Sequence, residues 1–362
     1  MRSRFRQNQL RRMQTSLLGH TRRATTHPPR RSAAPVIPPP PEAPAISQRQ
    51  AEIERDLQMA RDIQQGLLLE AVPRLPGWEI SAVSLPAREL GGDLYDFLPL
   101  SGGRQGLMIG DVSGKGLPAA LRMAVTRTVF RHEARRGRAP GETLAAVNDG
   151  VLSEIPQGMV TMLYATLDLQ TGLLRIANAG HNFPMLISSC LSEIELCGLP
   201  LGVDMESSYD ETSTTLQHGD TVVFYTDGVV EATDPNDTLF GFDRLIELLN
   251  GNTRLKPRAL IAMLLQELRS WSQVGQADDI TIVAVRRRLA QIGAELHSVV
   301  HDVLGEERAA LWEELTLPSD DAPASAWYEA LPEIVQAVQG RYGRGLAREL
   351  SGQLRLALEE YR

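Results

Sequence analysis

The spacing of hydrophobic and polar residues divides the chain into four stretches. Residues 1–45 show almost no apolar periodicity, whereas residues 46–72 carry an apolar residue at every seventh position. Residues 73–288 alternate short apolar runs with amphipathic segments, and residues 289–362 return to helical spacing. The pattern therefore predicts a disordered tail, a linker helix, one large folded domain and a helical extension.

The central stretch has the pattern of a mixed α/β domain. Its apolar runs predict strands at WEISAVSL, QGLMIGDV, MLYATLDL, LLRIANAG, TVVFYTD and ITIVAV. Helical spacing covers residues 117–135 and 140–154, and again residues 240–271. Connections as short as QTG and HGD favour antiparallel hairpins over parallel crossover units. We expect an α+β fold in which two mainly antiparallel sheets pack face to face with helices outside.

Apolar residues recur at heptad spacing in the linker, at Ile46, Ile53, Ala60 and Leu67. This spacing predicts a helix that either forms a short coiled coil with a second copy of the chain or lies on its own domain. Leu57 adds to the seam, while Gln50 and Gln64 weaken it. A homodimer that pairs through residues 46–70 is therefore one of two open interpretations.

Composition limits the class of protein. The chain has 362 residues, 43% of them hydrophobic, and a formal net charge of −8, which argues against nucleic-acid binding. Residues 1–45 hold nine arginines and one acid, Glu42, in a proline-rich context that favours disorder. No apolar run reaches the roughly 18 residues of a transmembrane segment. Cys190 and Cys197 indicate no disulfide framework, so we expect a cytoplasmic protein with both thiols in its core.

Acidic residues stand at the ends of several predicted strands. They are Asp111 in IGDVSGKG, Asp227 in FYTDG, and Asp278 and Asp279 in ADDITIVAV, and Asp93 joins them from the glycine turn in RELGGDLYDF. The Gly91-Gly92 pair either supplies the positive φ of a tight turn, forms the Gly-Gly-Asp turn of a nucleotide cyclase, or borders an oxygen-rich metal site. If the strand ends meet, their charges are tolerable only with cations between them. Carboxylates without His or Cys ligands favour Mg²⁺ or Mn²⁺ over Zn²⁺.

An ordered series of motifs covers residues from about 60 to 288. It consists of PARELGGDLYDF, IGDVSGKGLPAALRMA, VTMLYATLDLQTGLLRIANAGHNFPML, GLPLGV, GDTVVFYTDGVVEA and DDITIVAVR. The series resembles the PPM-type, or type-2C-like, metal-dependent serine/threonine protein phosphatases, and is most similar to their bacterial SpoIIE/RsbU branch. The resemblance implies an α-β-β-α sandwich with a binuclear metal centre at one end.

The resemblance also implies the metal ligands. Asp111 would bridge two Mn²⁺ or Mg²⁺ ions, and the carbonyl of Val112 would join one of them. The remaining ligands implied by the motifs are Asp93, Asp227, Asp278 and, at a position where the family often has asparagine, Asp279. Such a pair of ions would activate a water for in-line attack on phosphorus without a protein nucleophile. Asp96 is either a ligand for a third metal, a residue behind the ligands or a surface acid.

Some positions depart from the better-known eukaryotic members. Ser113 stands where those proteins carry a histidine that is a candidate acid for the leaving group. Their phosphate-gripping arginine has no clear counterpart, and Arg88 and Lys115 are the cationic candidates for binding the substrate. His181 in NAGHNF is a candidate proton donor, although a histidine satisfied within the fold is the favoured interpretation.

The function implied by the resemblance is hydrolysis of phosphoserine or phosphothreonine on a regulatory protein. The expected substrate and partner is a phosphorylated anti-sigma-factor antagonist of the STAS type. Two alternatives are a catalytically silent signalling module, against which the intact acids argue, and a nucleotide cyclase, whose Glu-Phe is missing after Gly-Gly-Asp. The LRLALEE segment near the end resembles the opening of the asparagine-bearing helix in anti-sigma histidine-kinase-like ATPases. We interpret residues 289–362 as a helical interaction or dimerisation element.

Overall fold

A computed structural model describes residues 43–67, 71–155, 158–273, 275–359 and 361. The predicted tail at residues 1–45 falls almost wholly outside these residues, so its conformation stays a prediction. The chain divides into two units between Ala51 and Glu52. Helix α1 (Ala43–Leu67) crosses this boundary, and every element described below lies in the second unit.

Two sheets of five strands each form the centre of this unit. The strands are β1 (Trp78–Leu85), β2 (Leu94–Leu100), β3 (Arg104–Val112), β4 (Val160–Asp168), β5 (Leu173–Ala179), β6 (Met185–Ile187), β7 (Leu191–Glu193), β8 (Glu211–Thr215), β9 (Thr221–Tyr225) and β10 (Ile280–Arg287). The first sheet has the order β1-β10-β9-β6-β7 and the second the order β2-β3-β4-β5-β8. Every pairing within them is antiparallel, which confirms the predicted sandwich.

Helices cover the outer face of each sheet. They are α2 (Leu117–Ala134), α3 (Pro140–Glu154), α4 (Gly241–Gly251) and α5 (Pro257–Trp271). Helices α2 and α3 pack on the second sheet through buried side chains such as Phe130 and Val147. Helices α4 and α5 pack on the first sheet through Leu245 and Leu264. The order of layers is therefore helix, sheet, sheet, helix.

Strand β3 shows why the apolar runs are nearly continuous. Leu107 and Ile109 face the other sheet, in the core between the two sheets. Met108 and Val112 face the opposite way, into the core under α2 and α3. Because successive side chains of a strand point to opposite faces, a strand that is covered on both faces needs apolar residues at every position.

Residues after β10 form a helical extension, as the amphipathic pattern predicts. Its helices are α6 (Ile292–Leu304), α7 (Glu306–Ala309), α8 (Ala324–Tyr342) and α9 (Arg344–Glu359). They enclose a core of their own, in which the fully buried Trp327 stacks on Trp312 at a centroid distance of 5.7 Å. In the described part of the chain, no helix combines the length and the apolar character needed to cross a bilayer.

A buried ionic cluster joins the extension to β10. Glu295, in the first turn of α6, accepts two bonds of 3.1 Å from Arg286 and one of 3.0 Å from the Leu289 amide. Lys256, directly before the neighbouring α5, lies 3.2 Å from the same carboxylate. Burial alone would raise the pKa of Glu295, but Lys256, Arg286 and Arg288 lower it to about 2. The carboxylate therefore stays charged and holds the extension against the sheet.

The two cysteines contradict the sequence-based prediction. Both Cys190 and Cys197 are exposed rather than in the core. Cys190 lies in the turn that joins β6 to β7, and Cys197 lies in the irregular segment after β7. A small apolar residue type indicates burial only when it falls within a packed element, and neither thiol does.

Candidate metal centre

The antiparallel registers bring four acid-bearing segments to one end of the sandwich. In the second sheet Leu94 pairs with Gly110, so the turn that precedes β2 lies beside the end of β3. In the first sheet Ile282 pairs with Tyr225, so the turn after β9 lies beside the start of β10. The predicted meeting of the strand ends is therefore a consequence of strand order in both sheets.

The acids on these segments act strongly on one another. Burial and then the charges of Asp227, Asp278 and Asp279 raise the pKa of Asp111 to about 7. Burial, followed by the charge of Asp111, raises the pKa of Asp93 well above its ordinary value. The pKa of Asp227 is raised by burial and by Asp278. Such a cluster cannot remain fully ionised at neutral pH without cations.

Two glycines allow the turn before β2 to approach the other segments closely. A Cβ on Gly92 would lie 2.7 Å from the carbonyl oxygen of Val112 and 3.4 Å from Oδ1 of Asp111. A Cβ on Gly91 would lie 2.7 Å from Oδ2 of Asp279. Neither glycine has a positive φ, so the interpretation of a turn that needs left-handed backbone is wrong. Close approach, rather than backbone freedom, explains the glycine pair.

A threonine that the sequence analysis missed fixes the orientation of Asp93. The Thr226 hydroxyl donates a 2.8 Å bond to Oδ2 of Asp93 and accepts a 2.9 Å bond from the Thr281 amide. Thr226 is fully buried. A hydroxyl within an apolar run, directly before an acid, is the sequence signal that could have identified it.

The adjacent acids at the start of β10 have different surroundings. Oδ2 of Asp278 lies 2.9 Å from the ammonium of Lys115, which also donates a 2.7 Å bond to the Ala277 carbonyl. Asp279 accepts bonds from the amides of Ala87 and Gly92, at 2.7 and 2.6 Å. Lys115 is thus brought to the centre. For the exposed Arg88, the described residues show no bond or ion pair to these acids.

Glu231 is a sixth carboxylate at the edge of the centre, and the sequence analysis missed it. Its amide donates a 2.8 Å bond to the Asp227 carbonyl through the helical turn Asp227–Val229. Burial and the charges of Asp227 and Asp278 raise the pKa of Glu231. Asp227 and Glu231 are four residues apart at the start of a helical turn, and this spacing places two side chains on the same side of the turn. The spacing is the sequence signal that could have identified Glu231.

Asp96 is not a surface acid, and its carboxylate does not face the acids of the centre. It is 1% exposed, and Arg131 of α2 donates bonds of 3.0 and 2.8 Å to its two oxygens. Arg127 lies 3.2 Å from Oδ2. Burial raises the pKa of Asp96, and the two arginines oppose this shift. The residue therefore joins β2 to α2 behind the centre.

His181 and Ser113 are both engaged within the fold. The Nδ1 atom of His181 lies 2.9 Å from the Thr161 hydroxyl, and burial lowers the pKa of this histidine to about 4. It is therefore neutral at pH 7, and its bond to Thr161 agrees with a histidine engaged within the fold. The Ser113 hydroxyl accepts a 3.0 Å bond from the Met159 amide, so it stabilises the loop after β3.

The donor chemistry of the centre fits Mg²⁺ or Mn²⁺. Its donor atoms are carboxylate oxygens and the carbonyl oxygen of Val112. Residue 92 lies so close to this carbonyl that only glycine fits there. In the described residues no three His, Cys, Asp or Glu side chains already enclose a single ion position. Among these acids, Asp278 pairs with Lys115, and the oxygens of Asp279 face backbone amides.

The raised pKa values predict how the metal-free protein responds to pH. The pKa of Asp111 rises from 3.8 to about 7 on folding, so its contribution to stability is present below pH 4 and is lost as the pH rises through 7. Glu295, with its pKa of about 2, loses its contribution only in stronger acid. In the presence of a chelator, we expect a lower melting temperature at pH 8 than at pH 5.5. Equal melting temperatures would contradict the repulsion described above.

Comparisons with known proteins place the chain in a family. The family described as Stage II sporulation protein E (SpoIIE) matches residues 101–288, slightly more than half of the chain. Phosphoserine phosphatase RsbU of Bacillus subtilis (strain 168) is 29% identical over 66% of this chain and 72% of its own length. The chain spans less than half of two further curated relatives.

Solved structures give the same fold. The RsbU and RsbW domains of Rv1364c from Mycobacterium tuberculosis align with a TM-score of 0.55 and 27% identity, over 76% of this chain and 79% of that one. The SiaA-PP2C domain of Pseudomonas aeruginosa, at 22% identity, aligns with a TM-score of 0.59 over 66% of this chain and 98% of its own, and shows the fold alone. The chain therefore belongs to the SpoIIE family, within the RsbU-containing branch of the PPM-type, metal-dependent serine/threonine protein phosphatases.

Proposed function

We propose that this chain hydrolyses phosphoserine or phosphothreonine on a regulatory protein, with two Mn²⁺ or Mg²⁺ ions as cofactors. The observation that carries the proposal is the cluster of mutually interacting acids from both sheets, whose pKa values are raised. We assign the ligand roles to Asp93, Asp111, the Val112 carbonyl, Asp227 and Asp278.

When bound, the two ions supply a water of lowered pKa and neutralise charge that develops on the phosphoryl group. The chain itself orients the ligands. Thr226 holds Asp93 in one orientation through its 2.8 Å bond. Lys115, whose ammonium lies 2.9 Å from Asp278, is assigned to contact the substrate phosphate. Neither cysteine lies on an acid-bearing turn, which supports direct attack by water.

The substrate that we propose is a phosphorylated STAS-type anti-sigma-factor antagonist. The proposal rests on the resemblance to the SpoIIE/RsbU branch and on the relative whose name is phosphoserine phosphatase RsbU. The test is phosphate release from such a protein, with Mn²⁺ or with a chelator, beside an unrelated phosphoprotein. We expect Mn²⁺-dependent release that is faster from the STAS protein. Binding of that protein without any release of phosphate would indicate a silent module and would contradict the proposal.

The linker helix contacts the turn that leads to Asp93. Arg61 donates a 2.9 Å bond to the Glu89 carbonyl, and Gln64 donates a 2.8 Å bond to the Gly91 carbonyl. This half of α1 therefore lies on its own domain. Ile53, in the heptad seam, and Ile63, which flanks the seam, remain 49% and 62% exposed. We propose that two chains pair through this exposed part of the seam and that pairing steadies the turn.

Charges in this seam are expected to separate the chains. Ile53→Asp together with Ile63→Asp would place unpaired charges in the paired helices and shift the protein toward monomer. The phosphatase rate should fall as the dimer dissociates, because Gln64 of the same helix bonds to Gly91 in the turn before Asp93. The measurements are light scattering and phosphate release, with the exposed Gln65→Asp as a control on the other side of the helix. A wild type that is monomeric at tens of micromolar would show that α1 serves only its own domain.

A further inference from the structure

Asp279 is surrounded by backbone donors. Its Oδ1 accepts a 2.7 Å bond from the Ala87 amide, and its Oδ2 accepts a 2.6 Å bond from the Gly92 amide. The Asp93 amide makes a longer contact of 3.5 Å with Oδ2. Both oxygens of the carboxylate therefore hold the segment that carries Asp93, across 186 to 192 residues of sequence.

We infer that Asp279 is a positioning residue for Asp93 rather than a metal ligand. The inference rests on the proposed function, because it assigns a role within the same centre. An ionised carboxylate offers about four acceptor positions, and the backbone amides here take three of them. The amide hydrogens carry partial positive charge, so they favour an anion and oppose a cation at the same oxygens.

Repulsion among the acids explains why the turn needs such an attachment. Asp93 is buried beside the charge of Asp111, which tends to drive the two segments apart. The opposite side of the turn is held by Gln64, whose amide oxygen accepts a 3.3 Å bond from the Gly91 amide and whose nitrogen donates to the Gly91 carbonyl. Gly91 also has no room for a Cβ, which would lie 2.7 Å from Oδ2 of Asp279. The turn is thus fixed from two sides.

Two matched substitutions separate the role of a ligand from that of a positioning residue. Asp279→Asn and Asp111→Asn each remove one negative charge from the centre. In the metal-free protein, Asp279→Asn places an amide NH2 group against a backbone N–H donor, so the melting temperature should fall by roughly 2–4 °C. Asp111→Asn relieves repulsion without loss of backbone bonds, so its melting temperature should be unchanged or higher.

The affinity for Mn²⁺ distinguishes a positioning residue from a purely structural one, because substitution of a purely structural residue would not change it. For Asp279→Asn, we expect the Mn²⁺ concentration at half-saturation to rise about tenfold, by electron paramagnetic resonance and by activity, because Asp93 is less well placed. Two equivalents of Mn²⁺ should still bind at saturation, with kcat within about threefold of the wild type. Glu295→Gln, at the far end of β10, should lower the melting temperature but leave the Mn²⁺ dependence unchanged.

The inference is wrong if metal-free Asp279→Asn melts at or above the wild-type temperature, or if it binds one equivalent of Mn²⁺ fewer at saturation. Gly91→Ala tests the same contact from the other side, since the added methyl group would displace Oδ2 of Asp279. It should lower the metal-free melting temperature and weaken Mn²⁺ binding in the same direction. Melting without metal does not depend on catalysis, so a wild type that releases no phosphate would overturn the proposed function and leave this comparison intact.

Discussion

Asp111→Asn is expected to abolish phosphatase activity and leave the protein folded. Asp111 ends β3 between the other acids, and its pKa of about 7 shows how strongly their charges act on it. Loss of the proposed bridging ligand should remove several kcal/mol of transition-state stabilisation, which corresponds to a fall in rate of about a thousandfold or more. The measurement is phosphate release at saturating Mn²⁺, together with thermal melting to confirm the fold.

The control is Asp168→Asn, at the opposite end of the same hairpin. Asp168 pairs with Arg104 across β3 and β4, far from the acid cluster. Gln170 and Thr171 donate hydrogen bonds to Oδ1 of Asp168, an oxygen that asparagine retains. This variant should keep the wild-type rate. A rate near that of the wild type for Asp111→Asn at saturating Mn²⁺ would exclude the bridging role.

The meeting of the acids could be predicted because it depends on simple features of strands. Asp111, Asp227 and Asp278 each lie at or next to the end of a nearly continuous apolar run, and such runs are buried strands. Asp93 differs, because no strand was predicted at LYDFLPL, which follows it. In an antiparallel pair, the end of one strand lies beside the start of its neighbour. Once Leu94 pairs with Gly110 and Ile282 pairs with Tyr225, the acids must gather at one end of the sandwich.

The different roles of the adjacent Asp278 and Asp279 could not be predicted from the sequence. Asp278 and Asp279 are the same residue type in sequence order, yet one faces Lys115 and the other faces backbone amides. Successive side chains of an extended chain point in opposite directions, so assignment of each role requires the position of the turn that carries Gly92. That turn lies more than 180 residues earlier, and only the tertiary structure brings it to β10.

Asp96 illustrates the same limit. Its position three residues after Asp93 suggests a shared site, but β2 begins between them and rotates the two side chains apart. Arg127 and Arg131, which neutralise Asp96, come from a helix whose packing on β2 the sequence does not reveal. Thr226 was missed for a related reason, because a hydroxyl in an apolar strand gains meaning only from the carboxylate that it contacts.

Gly92→Ala is expected to be nearly as damaging as removal of a ligand, although it adds only a methyl group. The new Cβ would lie 2.7 Å from the Val112 carbonyl oxygen. That carbonyl cannot turn away, because Val112 pairs with Val160 and the next amide, of Ser113, bonds to the Met159 carbonyl at 3.0 Å. The turn must therefore move instead and carry Asp93 with it.

A displacement of this kind should cost at least about a hundredfold in rate, since catalytic groups that move by about 1 Å lose roughly that factor. Gly340→Ala is the matched control. Gly340 lies in α8 with no atom within 4 Å of an added Cβ, so alanine should raise helix stability slightly and leave the rate unchanged. The two variants are compared by phosphate release across a Mn²⁺ titration and by thermal melting. If Gly92→Ala kept the wild-type rate and Mn²⁺ dependence, the Val112 carbonyl would not belong to the metal centre, and the close approach of Gly92 would serve packing alone.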